Sequence, residues 1–213
     1  MKGEPQAQHC AWGFFYATLP HMLVDGKAIA AEILDTLKEN VEDLGRVVTL
    51  TAITCAPNFE TKKYLEMKKK RAASVGITLL VVELSEETTT EEMTSIVYKN
   101  AQETDGVVVQ LPLPEHIDKE TVLRAVPKDK DPDVFAYGEK YERILPPVVG
   151  AIDVISKLHN VEWKNKRVVV LGKGTLVGKP AARYARKCGA RVRVYEDGTL
   201  DQSSLKTADI IIR

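Results

Sequence analysis

The chain has 213 residues, 44% hydrophobic and 28% charged, with Lys plus Arg and Asp plus Glu balanced at 30 each, so its formal net charge is zero. A chain of this size and composition buries a substantial core and has room for one large or two small domains. The zero balance removes the electrostatic case for nucleic acid or an anionic membrane as partner.

Residues 1–21 fit nothing that follows. Their apolar patch, Ala11 to Leu19, is cut off by Pro20; it lacks the marks of a signal peptide and falls short of the roughly 18 residues of a membrane span. They read as an atypical N-terminal extension. From Asp25 the pattern is helical, with Ile29, Ile33, Leu37 and Val41 on one stripe and Gly45 as a stop. Val47 to Thr54 is a β-branched run that predicts a strand, Thr61 to Val75 a helix closed by Gly76, and Ile77 to Leu84 a second strand. Thr89-Thr-Glu-Glu92 has capping-box spacing and opens a helix to about Gln102; Asp105-Gly106 then turns into a strand over Val107 to Gln110. A short helix over Asp118 to Val126 precedes the charged loop Pro127 to Asp133.

A boundary falls near Leu145-Pro-Pro147, followed by a helix over Val149 to Leu158. Arg167 to Leu171 is a buried-type strand, Gly172 to Gly178 a glycine-punctuated turn, Pro180 to Lys187 a helix, and Arg191 to Tyr195 and Asp209 to Ile212 two more strands. Alternating helices and strands predict an α/β fold with parallel, doubly covered sheets in two domains. Cys10, Cys55 and Cys188 are odd in number and lack C-x-x-C spacing, which points to a reduced, cytoplasmic setting. His9, His21, His116 and His159 are equally scattered, so no metal site is expected.

Tyr64 and Lys68, four apart on a helix, project an aromatic ring and an ammonium from one face. Gln110 ends an apolar run that Pro112 and Pro114 prevent from continuing. A polar side chain at the end of a buried parallel strand stands where open α/β sheets bind ligands. A free lysine, with a pKa of about 10.4, becomes a base near neutrality only through burial or neighbouring positive charge. Without that, Lys62 to Arg71 is simply a solvated basic face. Gly172-Lys-Gly-Thr-Leu-Val-Gly178, between strand and helix, suits a dinucleotide pyrophosphate, although tight turns use glycine anyway.

The order Y-x-x-x-K, V-Q-L-P-L-P, P-K-D-K-D-P-D and G-x-G-x-x-V-G-x-P resembles the methylenetetrahydrofolate dehydrogenase/cyclohydrolase family from about Met22 to the last residue. The resemblance implies a catalytic folate-binding domain over 22–147 and a partial NAD(P)-binding Rossmann domain over 148–213. It implies oxidation of 5,10-methylenetetrahydrofolate with NAD(P) and hydrolysis of the methenyl product to 10-formyltetrahydrofolate. By this resemblance Lys68 handles the proton or water at the one-carbon bridge, Tyr64 stacks on the folate, and Gln110 tunes the lysine. Val109 and Leu111 line the pocket, and Asp133 grips the amino-pyrimidine edge, which suits a carboxylate accepting two parallel N–H bonds.

The chain also departs from the family pattern. Val134 replaces the glycine after the aspartate, and Pro147 and Val148 replace a thiol and a hydroxyl. Gly172, Lys173, Gly174 and Gly178 would hold the cofactor. Asp197, at the end of the next strand, favours NAD by binding ribose hydroxyls, whereas Lys173 favours the extra phosphate of NADP; the balance leans to NAD. Family members continue past Ile212, and a 3-2-1-4-5-6 strand order would leave Val168 to Leu171 on an open edge. A folate-binding but catalytically impaired relative is the alternative reading, and a homodimer is implied by the resemblance alone.

Overall fold

The computed structural model describes residues 23–135, 144–196, 199 and 201–213; the extension expected over residues 1–21 lies outside them. Helix α1 (Gly26–Asp43) starts where the Asp25 carboxylate accepts the Lys27 and Ala28 N–H groups. It is followed by β1 (Val48–Cys55), α2 (Phe59–Ser74), β2 (Ile77–Leu84), α3 (Thr90–Glu103), β3 (Gly106–Val109) and α4 (Lys119–Ala125). The capping box forms as the spacing predicts: Thr89 Oγ1 accepts the Glu92 N–H at 3.2 Å, and the Glu92 carboxylate accepts the Thr89 N–H at 2.9 Å.

The first sheet is parallel, in the order β2-β1-β3, with Ile53 opposite Val109. Alternation along the strands divides its residues between two layers. Ile53, Cys55, Val107 and Val109 pack with Met93, Val97 and Val122 of α3 and α4, whereas Ala52, Leu79 and Val108 pack with Leu65 of α2. Both faces are therefore covered, which is why these strands are near-continuous apolar runs.

The second sheet follows α5 (Pro147–Leu158) and is built from β4 (Arg167–Leu171), α6 (Gly178–Lys187), β5 (Arg191–Tyr195), α7 (Gln202–Thr207) and β6 (Ile210–Ile212). Its order is β5-β4-β6, again parallel. The expectation that Val168 to Leu171 lies on an edge is corrected here. After β5 the chain crosses back through α7 and pairs β6 on the far side of β4, so β4 is central and buried while β5 and β6 form the edges. Its core gathers Val149, Trp163, Val168, Val170, Ala182 and Tyr184, with the Trp163 and Tyr184 rings edge to face at 5.5 Å.

Both sheets thus share a 2-1-3 strand order, and in each the order reverses beside the central strand. Open α/β sheets hold ligands outside the carboxyl ends of strands at such a point. Gln110 follows β3 there in the first sheet, and the Gly172 turn follows β4 in the second.

Two elements depart from the sequence pattern. The apolar stripe of α1 is largely uncovered: Ile33 is 50% exposed, and Val41 is the helix's one buried residue. Amphipathic periodicity marks a face that can be buried, but burial needs a neighbouring element, and among the described residues the stripe is buried at Val41 and only partly at Ile29. Helix α7 has no apolar period to reveal it; its start is marked only by the Asp201 carboxylate accepting the Ser203 N–H at 2.9 Å. Among the described residues no helix is long and apolar enough to cross a membrane, and Cys55 and Cys188 are unpaired thiols.

Candidate active site

Helix α2 is strongly polar, and its buried residues are Thr61 and Leu65. Lys68 extends the same stripe and is half-buried against the sheet. The Gln110 N–H donates to the Ile53 carbonyl at 2.8 Å, carrying the β3 ladder one residue further. Gln110 therefore shares the α2-facing side of the sheet with Val108, two residues before it. Lys68 Nζ donates to Gln110 Oε1 at 3.0 Å, and Gln110 Nε2 donates to the Leu111 carbonyl at 2.7 Å. The second bond fixes the amide orientation, so its oxygen and not its nitrogen meets the lysine. The Leu111–Pro112 peptide is cis. Tyr64, 45% exposed, holds its ring centroid 4.9 Å from Lys68 Nζ and leaves ring surface open to solvent.

Burial pushes the Lys68 amine below its ordinary range, and the negative charge of Asp133 opposes that shift. The reciprocal holds at Asp133: burial raises its carboxyl above the ordinary range, Lys68 pulls it down, and Asp131 pushes it up again. Both groups are half-buried, and the opposite charge of each favours the charged form of the other. The geometry brings together Tyr64, Lys68, Gln110 and Asp133 out of the residues that the sequence singled out. Leu111 contributes its carbonyl to Gln110 while its side chain packs on the first core. The Val109 side chain is not brought there: it is 4% exposed and sits in the first core, on the opposite face of β3.

Asp131 is the residue the sequence reading passed over. Its carboxylate accepts the N–H groups of Asp133, Val134 and Phe135 at 3.1, 2.9 and 2.9 Å, pinning the loop that aims Asp133. The Asp-Pro-Asp sequence carries the signal, since an aspartate that bonds main-chain groups two to four residues on is common turn chemistry. Val134, in the position of the family's glycine, has φ 53° and is 1% exposed in the second core. A β-branched residue in the left-handed region is strained, and here its burial offsets that strain.

The Gly172 turn uses backbone instead of side chains. Gly172 has φ 101° and donates its N–H to the Tyr195 carbonyl at 2.7 Å. A Cβ on Gly178 would overlap the Gly172 carbonyl oxygen and lie 2.8 Å from its carbon, so the turn closes only with glycine at that position. No side chain caps α6; the Lys179 N–H donates to the Gly174 carbonyl at 3.0 Å, the Ala181 N–H to the Val177 carbonyl at 2.9 Å, and Pro180 has no N–H, so what the helix start offers an anion is the positive end of its dipole at Gly178. These features fit a dinucleotide pyrophosphate. Gly174 has open space around it. Lys173 lies 3.3 Å from Glu196 in an exposed ion pair, and Asp197 lies outside the described residues. Pro147 and Val148 are the first two residues of α5, with Val148 39% exposed.

Comparison with known proteins places this arrangement. The family model described as tetrahydrofolate dehydrogenase/cyclohydrolase, catalytic domain, matches residues 24–133. The bifunctional protein FolD of Halothermothrix orenii is 34% identical over 207 residues, a match covering 89% of this chain and 72% of that protein. The crystal structure of the bifunctional enzyme FolD, methylenetetrahydrofolate dehydrogenase/cyclohydrolase, from Campylobacter jejuni superposes with a TM-score of 0.81 at 30% identity, covering 89% of this chain and 72% of that one. The Trypanosoma brucei N5,N10-methylenetetrahydrofolate dehydrogenase-cyclohydrolase, solved with NADP cofactor and inhibitor, gives 0.81 at 31% identity, covering 90% and 70%.

Proposed function

Because the chain belongs to the tetrahydrofolate dehydrogenase/cyclohydrolase family, we propose that it oxidises 5,10-methylenetetrahydrofolate with a nicotinamide dinucleotide and hydrolyses the methenyl product to 10-formyltetrahydrofolate. The observation that carries this reading is the Lys68–Gln110 bond, with Tyr64 and Asp133 beside it. A bound dinucleotide supplies the hydride acceptor. The chain's own residues do the rest. Asp133 accepts the N–H edge of the pterin and orients it, and Tyr64 offers its open ring surface to the aromatic part of the folate. Lys68, with its amine held below the ordinary range, takes a proton from the water that adds to the methenyl carbon and returns it to N5 as the bond between that carbon and N5 breaks, leaving the formyl group on N10. Gln110 Oε1 holds that amine in place without adding charge, so the lowered value survives.

The first domain spans 22–147 and the second 148–213 in this reading, with Gly172, Lys173, Gly174 and Gly178 at the dinucleotide. The cofactor leans to NAD: Asp197 suits ribose hydroxyls, and the charge of Lys173, which would favour the extra phosphate of NADP, is partly satisfied by Glu196. The chain acts as a cytoplasmic homodimer on tetrahydrofolate derivatives, and the reading includes no metal, nucleic acid or membrane.

The test is the absorbance change when the purified chain is given methylenetetrahydrofolate with NAD and, separately, with NADP. Turnover faster with NAD is expected. Silence with both cofactors from folded protein, together with retained folate binding, would replace this reading with a binding-only relative.

A further inference from the structure

We propose that Val134 is a positioning residue: seated in the second core, it holds the loop that places Asp133 by Lys68, so that packing in the second domain sets the folate face of the first. The proposal rests on the folate reading for what Asp133 binds, but not for how the loop is held. The loop is fixed at three places. At its start Lys130 Nζ donates to the Thr104 carbonyl at 2.9 Å, just ahead of β3. In its middle the Asp131 carboxylate accepts the Asp133, Val134 and Phe135 N–H groups. At its end two neighbours part company. Val134, 1% exposed, packs in the core of Val149, Trp163, Val168 and Val170, whereas Phe135 packs on the first core. Asp133 immediately precedes the valine, so its place follows from where that side chain is seated. Val168 and Val170 belong to β4, the strand that runs into the Gly172 turn.

The bland explanation is that Val134 is one more buried core residue. It accounts for the burial but not for the backbone. A φ of 53° suits the glycine of the family pattern and is unfavourable for a β-branched residue. Such a conformation persists only where its surroundings over-determine it, here by packing on the side chain and by the Asp131 bonds on the main chain. Strain and packing therefore oppose each other, which gives the loop two states. In the seated state φ is positive and Asp133 stands by Lys68; in the released state the valine relaxes toward extended backbone and carries Asp133 away. A ligand shifts such a balance only by favouring one state. A dinucleotide at the Gly172 turn steadies β4, against which the valine is seated, and so favours the seated state. It then tightens folate binding, and by linkage folate tightens dinucleotide binding by the same factor.

Amide hydrogen exchange of the whole ligand-free chain, followed by NMR, reads the loop directly. Val134→Gly removes the seated side chain. It should speed exchange at the Asp133 and Phe135 amides about tenfold more than at the β4 amides. It should also move the Lys68 amine titration to lower pH, because the charge that favours its protonated form has left. The control for lost packing is Val192→Ala, which trims the same core from β5; it should lower the melting temperature but do neither of these things. In the parent, saturating NAD should tighten tetrahydrofolate binding by about fivefold or more, a factor that should fall to about one in Val134→Gly and persist in Val192→Ala. Unchanged loop exchange and Lys68 titration in Val134→Gly, or the same response in Val192→Ala, would overturn the proposal. A NAD effect on tetrahydrofolate that is absent in the parent, or equal in the parent and Val134→Gly, would overturn the link to the second domain. The expected exchange pattern in a chain that binds no tetrahydrofolate would sustain the role of Val134 and end the folate reading instead.

Discussion

The Lys68 face and the Gly172 turn stand at equivalent places in two sheets of the same strand order, yet they are built on opposite principles. At the first, chemistry resides in side chains: Lys68, Gln110 and Asp133 are half-buried, mutually charged or bonded, and shifted from their solution behaviour. At the second it resides in backbone: an uncapped helix start, a left-handed Gly172 and a Gly178 with no room for a Cβ. Side-chain sites should lose function without losing the fold, because the groups sit on a sheet and helix that stand without them. A backbone site should lose fold and function together.

The sharpest test is Lys68→Met, which should cut methenyl hydrolysis by about 10² to 10⁴-fold, the usual range for a lost acid–base group. Its melting temperature should stay near that of the parent. Unchanged hydrolysis would end the assignment of Lys68. The mirror experiment is Gly178→Ala. Overlap with the Gly172 carbonyl should cost about 1–3 kcal/mol and abolish dinucleotide binding measured by fluorescence, while hydrolysis by the remaining folded protein persists. Equal loss of both activities would collapse the contrast between the two regions.

Asp133→Asn probes the coupling inside the first region. Loss of the charged acceptor should weaken folate binding by about 10- to 100-fold. Because Asp133 supports the charged form of Lys68, its removal should let the lysine fall further and move the rising limb of the pH–hydrolysis profile to lower pH. The parent carboxyl is raised by burial, so the folded state holds its proton to higher pH than the unfolded chain. The stability this contributes is present below the unfolded value and is lost as pH rises through the folded one. The asparagine variant lacks that loss, and a series of denaturant titrations running from below the ordinary carboxylate range up to pH 8 should show a smaller decline than in the parent.

The smallest effect is expected at Ala56, just past β1, an exposed residue with φ 43°. A left-handed alanine is strained by about 1–2 kcal/mol, and glycine returns part of that gain through its more flexible unfolded state. Ala56→Gly should therefore stabilise by about 0.5–1 kcal/mol, visible as a Tm raised by about 2 °C. Destabilisation would mean that the alanine methyl makes a contact worth more than the strain.

Much of this was legible along the chain. Tyr64 and Lys68 share a helix face because their spacing matches the helical period, and the run before Gln110 reads as a buried strand because its β-branched residues are continuous. The capping box at Thr89 and the glycine turn at Gly172 are local devices, complete within a few residues. Asp131 was missed because its task is to hold three main-chain groups in a loop, and a side chain that orients other residues leaves no period or spacing to find. The α1 stripe misleads for the converse reason: its period is clear, but a period cannot say what stands opposite.

By itself the sequence determined the elements other than α7, their order, the family and the residue types at each site, since those depend on short-range periodicity, capping and turn chemistry. The tertiary structure alone decided that β6 crosses to the far side of β4 and that Val109 turns its back on the site. It alone decided that Val134 is buried under strain and that Lys68 and Asp133, both half-buried, favour each other's charged forms. Each of these depends on groups distant in the chain being placed side by side, and both burial and Coulomb interaction respond to distance in space, not along the sequence.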